Sequence, residues 1–251
     1  MSVNNNQNFG FEKVTSKAKR TRVDNVFSDV ANKYDLMNDL MSLGVHRLWK
    51  DEFCRMIPNL NSTIIDVAGG TGDIAFRLKK NGKEQNNEPH IVVCDINRDM
   101  LQVCKDRAVD SNILNKFDLI VGDAEKLPFP DNSFDYYTIA FGIRNMVCLE
   151  KTLAEAYRVL KPTGKFLCLE FSRVQNDLVR PLYELYSFNL IPAIGGCVAG
   201  NKDAYKYLVE SISLFPDQED FKTMVQEAGF SDVNYKNLTF GVAAIHYGFK
   251  S

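Results

Sequence analysis

Short β-branched runs alternate with helical patterns through the middle of the chain, and this predicts an α/β fold with a mostly parallel sheet and helices on both faces. Two further observations support it. A glycine-rich turn links the first run to a helix, and the chain ends in two strand-like segments joined around Gly241, which predict an antiparallel hairpin.

In order, the strands are expected at 63–67, 90–95, 118–122, 134–141 and 165–171, with the hairpin strands at 233–238 and 242–249, seven in all. Between the fourth and fifth, the segment 149–160 places Leu149, Leu153, Ala156, Tyr157 and Leu160 on one helical face, and Lys161-Pro162-Thr163-Gly164 is read as its stop. A helix starting at Asp217 presents Phe221, Met224, Val225 and Ala228 to the core and ends at Gly229. Ahead of the first strand, the aromatic and Met-rich segment 23–57 reads as one or two helices. The segment 172–215 reads as an insertion after the fifth strand, placed where open α/β sheets bind ligands and so suited to a lid. Residues 1–22 are expected to be a flexible basic tail, and 23–251 one domain.

The 251 residues, 45% of them apolar, suffice for a sizeable core, and 30 Lys+Arg against 32 Asp+Glu leave no electrostatic footprint for nucleic acid. Lys13, Lys17, Lys19, Arg20 and Arg22 form one local basic cluster, either a solvated tail or a weak contact for an anionic surface. Six cysteines without CxxC spacing read as reduced thiols, and no metal-ligating pattern is expected. The Asn-rich start lacks a secretory signal. The most apolar segment, 188–199, is about a dozen residues long, too short to span a bilayer. These features predict a cytoplasmic protein.

The chemistry concentrates in Ile64-Ile65-Asp66-Val67-Ala68-Gly69-Gly70-Thr71-Gly72-Asp73-Ile74-Ala75. Gly70, Gly72 and Ala75 satisfy the dinucleotide pattern, so a nicotinamide oxidoreductase is one reading. Asp66 favours another. A carboxylate just before the turn would repel a pyrophosphate at the helix N-terminus, whereas S-adenosylmethionine has no phosphate and carries ammonium and sulfonium cations. Alternatively Asp66 only bonds the amides of the turn. Asp95, closing the second strand, can accept ribose hydroxyls, and Asp123 with Ala124 after the third can meet an adenine, with Asp123 as a plain turn residue the alternative. Three acids at the ends of three successive strands converge on one crevice.

Beyond the turn, longer stretches carry a resemblance: residues 26–39, Phe141-Gly142-Ile143-Arg144-Asn145, residues 157–164 with Leu169-Glu170-Phe171-Ser172, and C-terminally Tyr186-Ser187-Phe188, Pro192-Ala193-Ile194-Gly195 and 207–212. On these, the chain resembles the ubiquinone/menaquinone biosynthesis C-methyltransferase family, within the class I methyltransferases. The resemblance implies a Rossmann-like seven-stranded methyltransferase sheet and a cofactor site for S-adenosyl-L-methionine using Thr71, Asp95 and the Asp123-Ala124 pair, beside Asp66, Gly70 and Gly72. It also implies C-methylation of a polyprenylated benzoquinol, and in many members of demethylmenaquinol. Ala140 departs from the Ser that members often carry two residues before the glycine of FG-x-RN, and Asp123 stands where relatives can have Asn. Another small aromatic or lipid substrate is the alternative. A non-catalytic relative would be expected to lose acids from the crevice, and none is lost.

Methyl transfer to carbon needs a held nucleophile and a group that meets the charge developing on the quinol oxygen. Arg144 and Asn145 are the candidates for that role, with a structural Arg paired to an acid as the alternative reading of Arg144. His46 and His246 are candidate bases, and Tyr186 and Tyr207 candidates for orienting the ring. A lipid quinol as substrate suggests peripheral contact with the inner face of the membrane through the basic cluster. The apolar residues Leu182, Tyr183, Tyr186, Phe188, Leu190 and Ile191 suggest either an isoprenoid groove or a homodimer face, with association with other quinone-biosynthesis enzymes a further expectation.

Overall fold

The computed structural model describes residues 6–30, 38–39, 42–59, 61–175, 177, 180–186 and 202–251. Its sheet is built from Thr63–Val67 (β3), His90–Asp95 (β4), Phe117–Val121 (β5), Phe134–Ala140 (β6), Leu160–Phe171 (β7), Phe230–Leu238 (β8) and Ala243–Lys250 (β9). The order is β5-β4-β3-β6-β7-β9-β8, with the first five strands parallel and β9 antiparallel to both neighbours. The chain therefore winds outward from β3 through β4 to β5 and then returns to β6 on the other side of β3. That reversal opens a crevice at the carboxyl ends of β3 and β6.

The central strands are near-continuous apolar runs because both of their faces are covered. Ile64, Ile91, Val93 and Leu167 pack on one face with residues of His46–Arg55 (α2), Asp73–Glu84 (α3), Arg98–Asp110 (α4) and Lys202–Leu214 (α7). Ile65, Val92 and Cys168 pack on the other with Leu149–Val159 (α5) and Gln218–Glu227 (α8). Adjacent residues of one strand thus supply two different cores, as the period-2 alternation of a strand requires. Two helix starts are sealed by their own side chains: Asn97 accepts from the Met100 amide, and Asp217 from the amides of Glu219 and Asp220.

Two sequence expectations are revised here. Lys161-Pro162-Thr163-Gly164 does not separate a helix from a strand, because α5 ends at Val159 and β7 already begins at Leu160. Leu160 pairs with Phe134 and Lys165 with Tyr136, so the Pro-Gly turn is carried as a bulge, with Thr163 at φ +65°. The second revision concerns the expected flexible tail. Asn6–Phe9 (β1) and Glu12–Thr15 (β2) form an antiparallel hairpin that leads into Ser16–Val30 (α1). Its residues have partners in the rest of the molecule. Phe9 stacks on Tyr207 with ring centroids 4.3 Å apart, the buried Lys19 donates to the Met146 carbonyl at 2.6 Å, and Arg20 pairs with Asp123 and Glu125. Composition registers charges but not the carbonyls and carboxylates waiting for them. Lys19 and Arg20 are thus engaged and Arg22 is bonded to Glu12, whereas Lys13 and Lys17 stay exposed.

In the insertion after β7, Arg180–Leu185 (α6) and α7 are described. Tyr183 and Tyr186 are half-buried against the core, whereas Phe188, Leu190 and Ile191 lie outside the described residues, as does Cys197. The other five cysteines are free thiols.

Helix α2 carries Phe53, fully buried against the sheet, and thereby holds the face that borders the crevice. Phe53→Ala should lower the unfolding free energy by about 3–5 kcal/mol. Urea titration is expected to show a shifted midpoint with an unchanged slope.

Candidate active site

The crevice is an open cavity of about 1120 Å³ bounded by the carboxyl ends of β3, β4 and β6, the turn after β5, and α1. Local sequence shapes its floor. Gly72 caps α3 in the left-handed region at φ +81°, where a Cβ would also lie 2.5 Å from Cys104 Sγ, so only glycine fits the turn. At the end of β6, a Cβ on Gly142 would meet the Ala68 Cβ at 2.6 Å, which explains the glycine of FG-x-RN as a close strand-end crossing. Ala68 and Phe141, at the ends of β3 and β6, are themselves left-handed at φ +50° and +57°. Such strain in residues with side chains clusters at functional sites.

Six acids line the cavity, Asp24, Asp66, Asp73, Asp95, Asp123 and Glu125, against two cations, Arg20 and Lys50. Asp66 is buried. Its Oδ1 accepts from the Thr138 hydroxyl at 2.9 Å, while Oδ2 has no hydrogen-bond partner among the described residues. The alternative in which Asp66 bonds the turn amides therefore does not hold. Burial raises its pKa to about 7, opposed by the Thr138 hydrogen bond and reinforced by the negative charges of Asp95 and Asp73. The turn amide goes instead to Asp95, whose Oδ2 accepts from Gly70 N at 2.9 Å and Oδ1 from Asn97 N at 2.8 Å. Burial raises Asp95 to about 6. Each of its oxygens keeps a lone pair for a further donor.

Gly70, Thr71 and Ala124 all line the cavity, and Gly72 shapes the same turn. Thr71 accepts from Arg107 through both its carbonyl and its hydroxyl, so its side chain is held from outside. Asp123 accepts the Glu125 amide and forms an ion pair with Arg20 at 2.7 Å. The carboxylate expected to meet an adenine thus also ties α1 to the cavity's rim.

Arg144 and Asn145 follow β6 in a 3₁₀ turn and part company. Asn145 lines the crevice, and its Oδ1 accepts from the Tyr207 hydroxyl at 2.9 Å. Arg144 does not line it. Its buried Nη1 donates to Glu170 at 2.7 Å and to the Phe141 carbonyl at 2.6 Å, and the residue borders a second, adjoining cavity of about 1720 Å³. The two cavities share Arg20, Glu125, Met146 and Val147 as a wall. An arginine out of water requires a counter-ion, and Glu170 supplies one.

Neither candidate imidazole is brought to the crevice. His246 donates from Nε2 to the Gln218 carbonyl, lies between the rings of Phe221 and Tyr235, and is lowered to about 4 by burial. His46 bonds Asp39, and burial lowers it below its ordinary value with help from the Lys50 charge. Sequence reasoning missed Lys50, Asp24 and Asn97. The signal for Lys50 is its place on α2: His46, Trp49, Lys50 and Phe53 form one buried stripe, and a lysine there is out of pattern. Asp24 accepts from Asn97 at 2.7 Å, a contact between α1 and α4 that no local pattern announces.

The model of the ubiE/COQ5 methyltransferase family matches residues 15–250. A ubiquinone/menaquinone biosynthesis C-methyltransferase of Rickettsia prowazekii is 58% identical over 245 residues, 98% of this chain and 99% of its own length. Its counterpart in Rickettsia bellii is 57% identical over 246 residues, with the same coverage. Among solved structures, a SAM-dependent methyltransferase of Thermotoga maritima matches with a TM-score of 0.61 at 18% identity, covering 90% of this chain and 99% of that one. One from Aquifex aeolicus gives 0.57, also at 18% identity, covering 89% and 98%. At that identity they show a shared fold.

Because the pKa of Asp66 is raised on folding, the native state holds its proton more tightly than the unfolded chain does. The stability this contributes is complete below about pH 4 and is lost as pH rises toward about 7. Asp66→Asn removes that titration and can keep the Thr138 contact. The variant should therefore gain stability relative to the unmodified chain between pH 4 and 7 and level off above. Urea unfolding of both across that range tests this, and parallel profiles would refute the burial argument.

Proposed function

The chain belongs to the ubiE/COQ5 methyltransferase family, and from that premise we propose that it transfers a methyl group from S-adenosylmethionine to a ring carbon of a polyprenylated benzoquinol of the 2-methoxy-6-polyprenyl type, with demethylmenaquinol as a second substrate. The observation that carries this reading is the 57–58% identity to C-methyltransferases of quinone biosynthesis over almost the whole chain. The site fits the cofactor on its own terms. A crevice lined by six acids, one with a buried and unpartnered oxygen, suits a ligand with two cationic centres and no phosphate. A nicotinamide dinucleotide would place its pyrophosphate among those acids.

In this reading Asp66 receives the ammonium on Oδ2, Asp95 the ribose hydroxyls, and Asp123 with the Ala124 backbone the adenine, while Gly70, Thr71 and Gly72 form the turn beneath. Ala140 lines the cavity and offers no hydroxyl where relatives often carry one. When bound, the cofactor supplies an electrophilic methyl group. The chain's part is to hold the quinol, exclude water, and meet the negative charge growing on the ring oxygen. Asn145 suits that last task. Because Tyr207 occupies its carbonyl oxygen, the amide is turned so that Nδ2 remains to donate to a ring oxygen. Arg144, locked to Glu170 and the Phe141 carbonyl, acts as a positioning residue that fixes the turn. No imidazole lines the crevice, and Asp66 and Asp95 are engaged with the cofactor in this reading, so the proton leaves through water.

For the isoprenoid tail we propose the insertion 172–215. Among the described residues no helix is long and apolar enough to cross a membrane, so a lipid quinol would be met at a surface. We propose peripheral contact and self-association in the same sense; of the basic cluster, Lys13 and Lys17 are exposed to meet an anionic surface, while Lys19 is buried on the Met146 carbonyl and Arg20 is paired with Asp123.

Incubation with methyl-labelled S-adenosylmethionine and a short-tailed demethylated quinol should yield a product labelled on ring carbon by mass spectrometry. Label on oxygen, or none, would overturn the reading. In single-turnover assays at saturating cofactor and quinol, Asn145→Ala should slow methyl transfer ~10²-fold while leaving cofactor affinity unchanged. A change in affinity alone would move Asn145 from the chemistry to the binding site.

A further inference from the structure

Resting on the reading that the crevice takes S-adenosylmethionine, we propose that Lys50 holds the carboxylate of the cofactor's amino-acid end. The acids of the crevice account for the ligand's cations but leave its one negative group without a partner. Of the two cations that line the cavity, Arg20 is consumed at the Asp123 edge, bonded to Asp123 at 2.7 Å and to Glu125 at 3.1 Å. Lys50 lies by the turn after β3, close enough to Asp66 for its charge to act on that carboxylate, bonded to Asp73, and 5.8 Å from the centre of the Phe141 ring. The position beside Asp66 is where an α-amino acid must place its carboxylate, since ammonium and carboxylate leave the same carbon.

The lysine is built into the wall. Its side chain is 3% exposed, and its three N–H donors have one acceptor among the described residues, Asp73 Oδ2 at 2.6 Å. Asp73 does not neutralise it alone, because its other oxygen accepts from Arg77 at 3.2 Å and it also feels the charge of Arg107. A second feature points the same way. Helix α3, twelve residues long, begins at Gly72 with no side-chain cap, and Asp73 and Ile74 of its first turn line the cavity, so amide donors and the positive end of the helix dipole flank Lys50. Ammonium and helix start together make a carboxylate site on the turn that faces Asp66.

Titration calorimetry with S-adenosylmethionine and its decarboxylated analogue, which keeps the sulfonium and the amine, separates this contact from a purely structural ion pair. Lys50→Gln and Lys50→Met should each bind S-adenosylmethionine about tenfold or more weakly and the decarboxylated analogue within about twofold of the unmodified chain. Equal losses for both ligands, or no loss for either, overturn the proposal. Should both variants fail to fold, the unmodified protein with ¹³C-labelled lysine serves. The Lys50 Cε signal is expected to move on adding S-adenosylmethionine and to stay with the decarboxylated compound, and the same displacement by both would overturn the contact. If the unmodified chain binds neither compound, the cofactor reading itself falls, and this contact with it.

Discussion

Negative charge held out of water at the reversal point of the sheet is the constraint around which the molecule is arranged. Asp66, Asp95 and Asp123 stand at or just beyond the carboxyl ends of β3, β4 and β5, strands that lie consecutively in the sheet because the chain winds outward before it returns to β6. Two of these carboxylates are buried and carry raised pKa values. A carboxylate in that state destabilises the empty protein above its pKa and is compensated by a ligand that brings positive charge. Many surroundings answer the same demand. Gly70 and Asn97 donate amides to Asp95, Thr138 its hydroxyl to Asp66, and Arg20 its guanidinium to Asp123.

The N-terminal segment belongs to this arrangement. Helix α1 brings Arg20 and Asp24 to the cavity wall, and its polar contacts run to the turn after β5, to α4 through Asn97, and to the Met146 carbonyl. The hairpin ahead of it reaches α7 through the stack of Phe9 on Tyr207, and Tyr207 in turn bonds Asn145. A path of direct contacts therefore joins the hairpin to the residue proposed to meet the substrate.

Most of the sheet was legible in the sequence because a strand covered on both faces declares itself by its own residues: β3 and β4 fall at the expected positions to the residue. The acids at strand ends were legible for the same reason, since position in a parallel strand determines which edge a residue occupies. What escaped were features set by partners distant in sequence. Lys19 and Arg20 read as solvent-facing charges until the fold brings Met146, Asp123 and Glu125 against them. The Pro-Gly stretch after α5 read as a break, yet the ladder with β6 resumes beyond it. His246 looked like a candidate base because a sequence shows its pKa range but not that Phe221 and Tyr235 enclose it.

The pair Arg144-Asn145 shows how the fold divides a motif that reads as one unit. A 3₁₀ turn sends consecutive side chains in different directions, so Arg144 borders the adjoining cavity and Asn145 the crevice. Two polar groups committed to one substrate oxygen would each need solvent or substrate to be satisfied. Here Nη1 of the guanidinium is held by Glu170 and the Phe141 carbonyl, while the buried Nε has no partner among the described residues. Removing either member of such a buried pair leaves the other unpaired, at a cost of about 3–5 kcal/mol, so loss of activity in an Arg144 variant would not by itself distinguish chemistry from scaffold. Asn145 is neutral, and its amide is aimed by a single hydroxyl from α7. Of the two, Asn145 is the side chain that lines the crevice and whose replacement leaves no buried charge unpaired, so the proposed contact with the ring oxygen is best tested there.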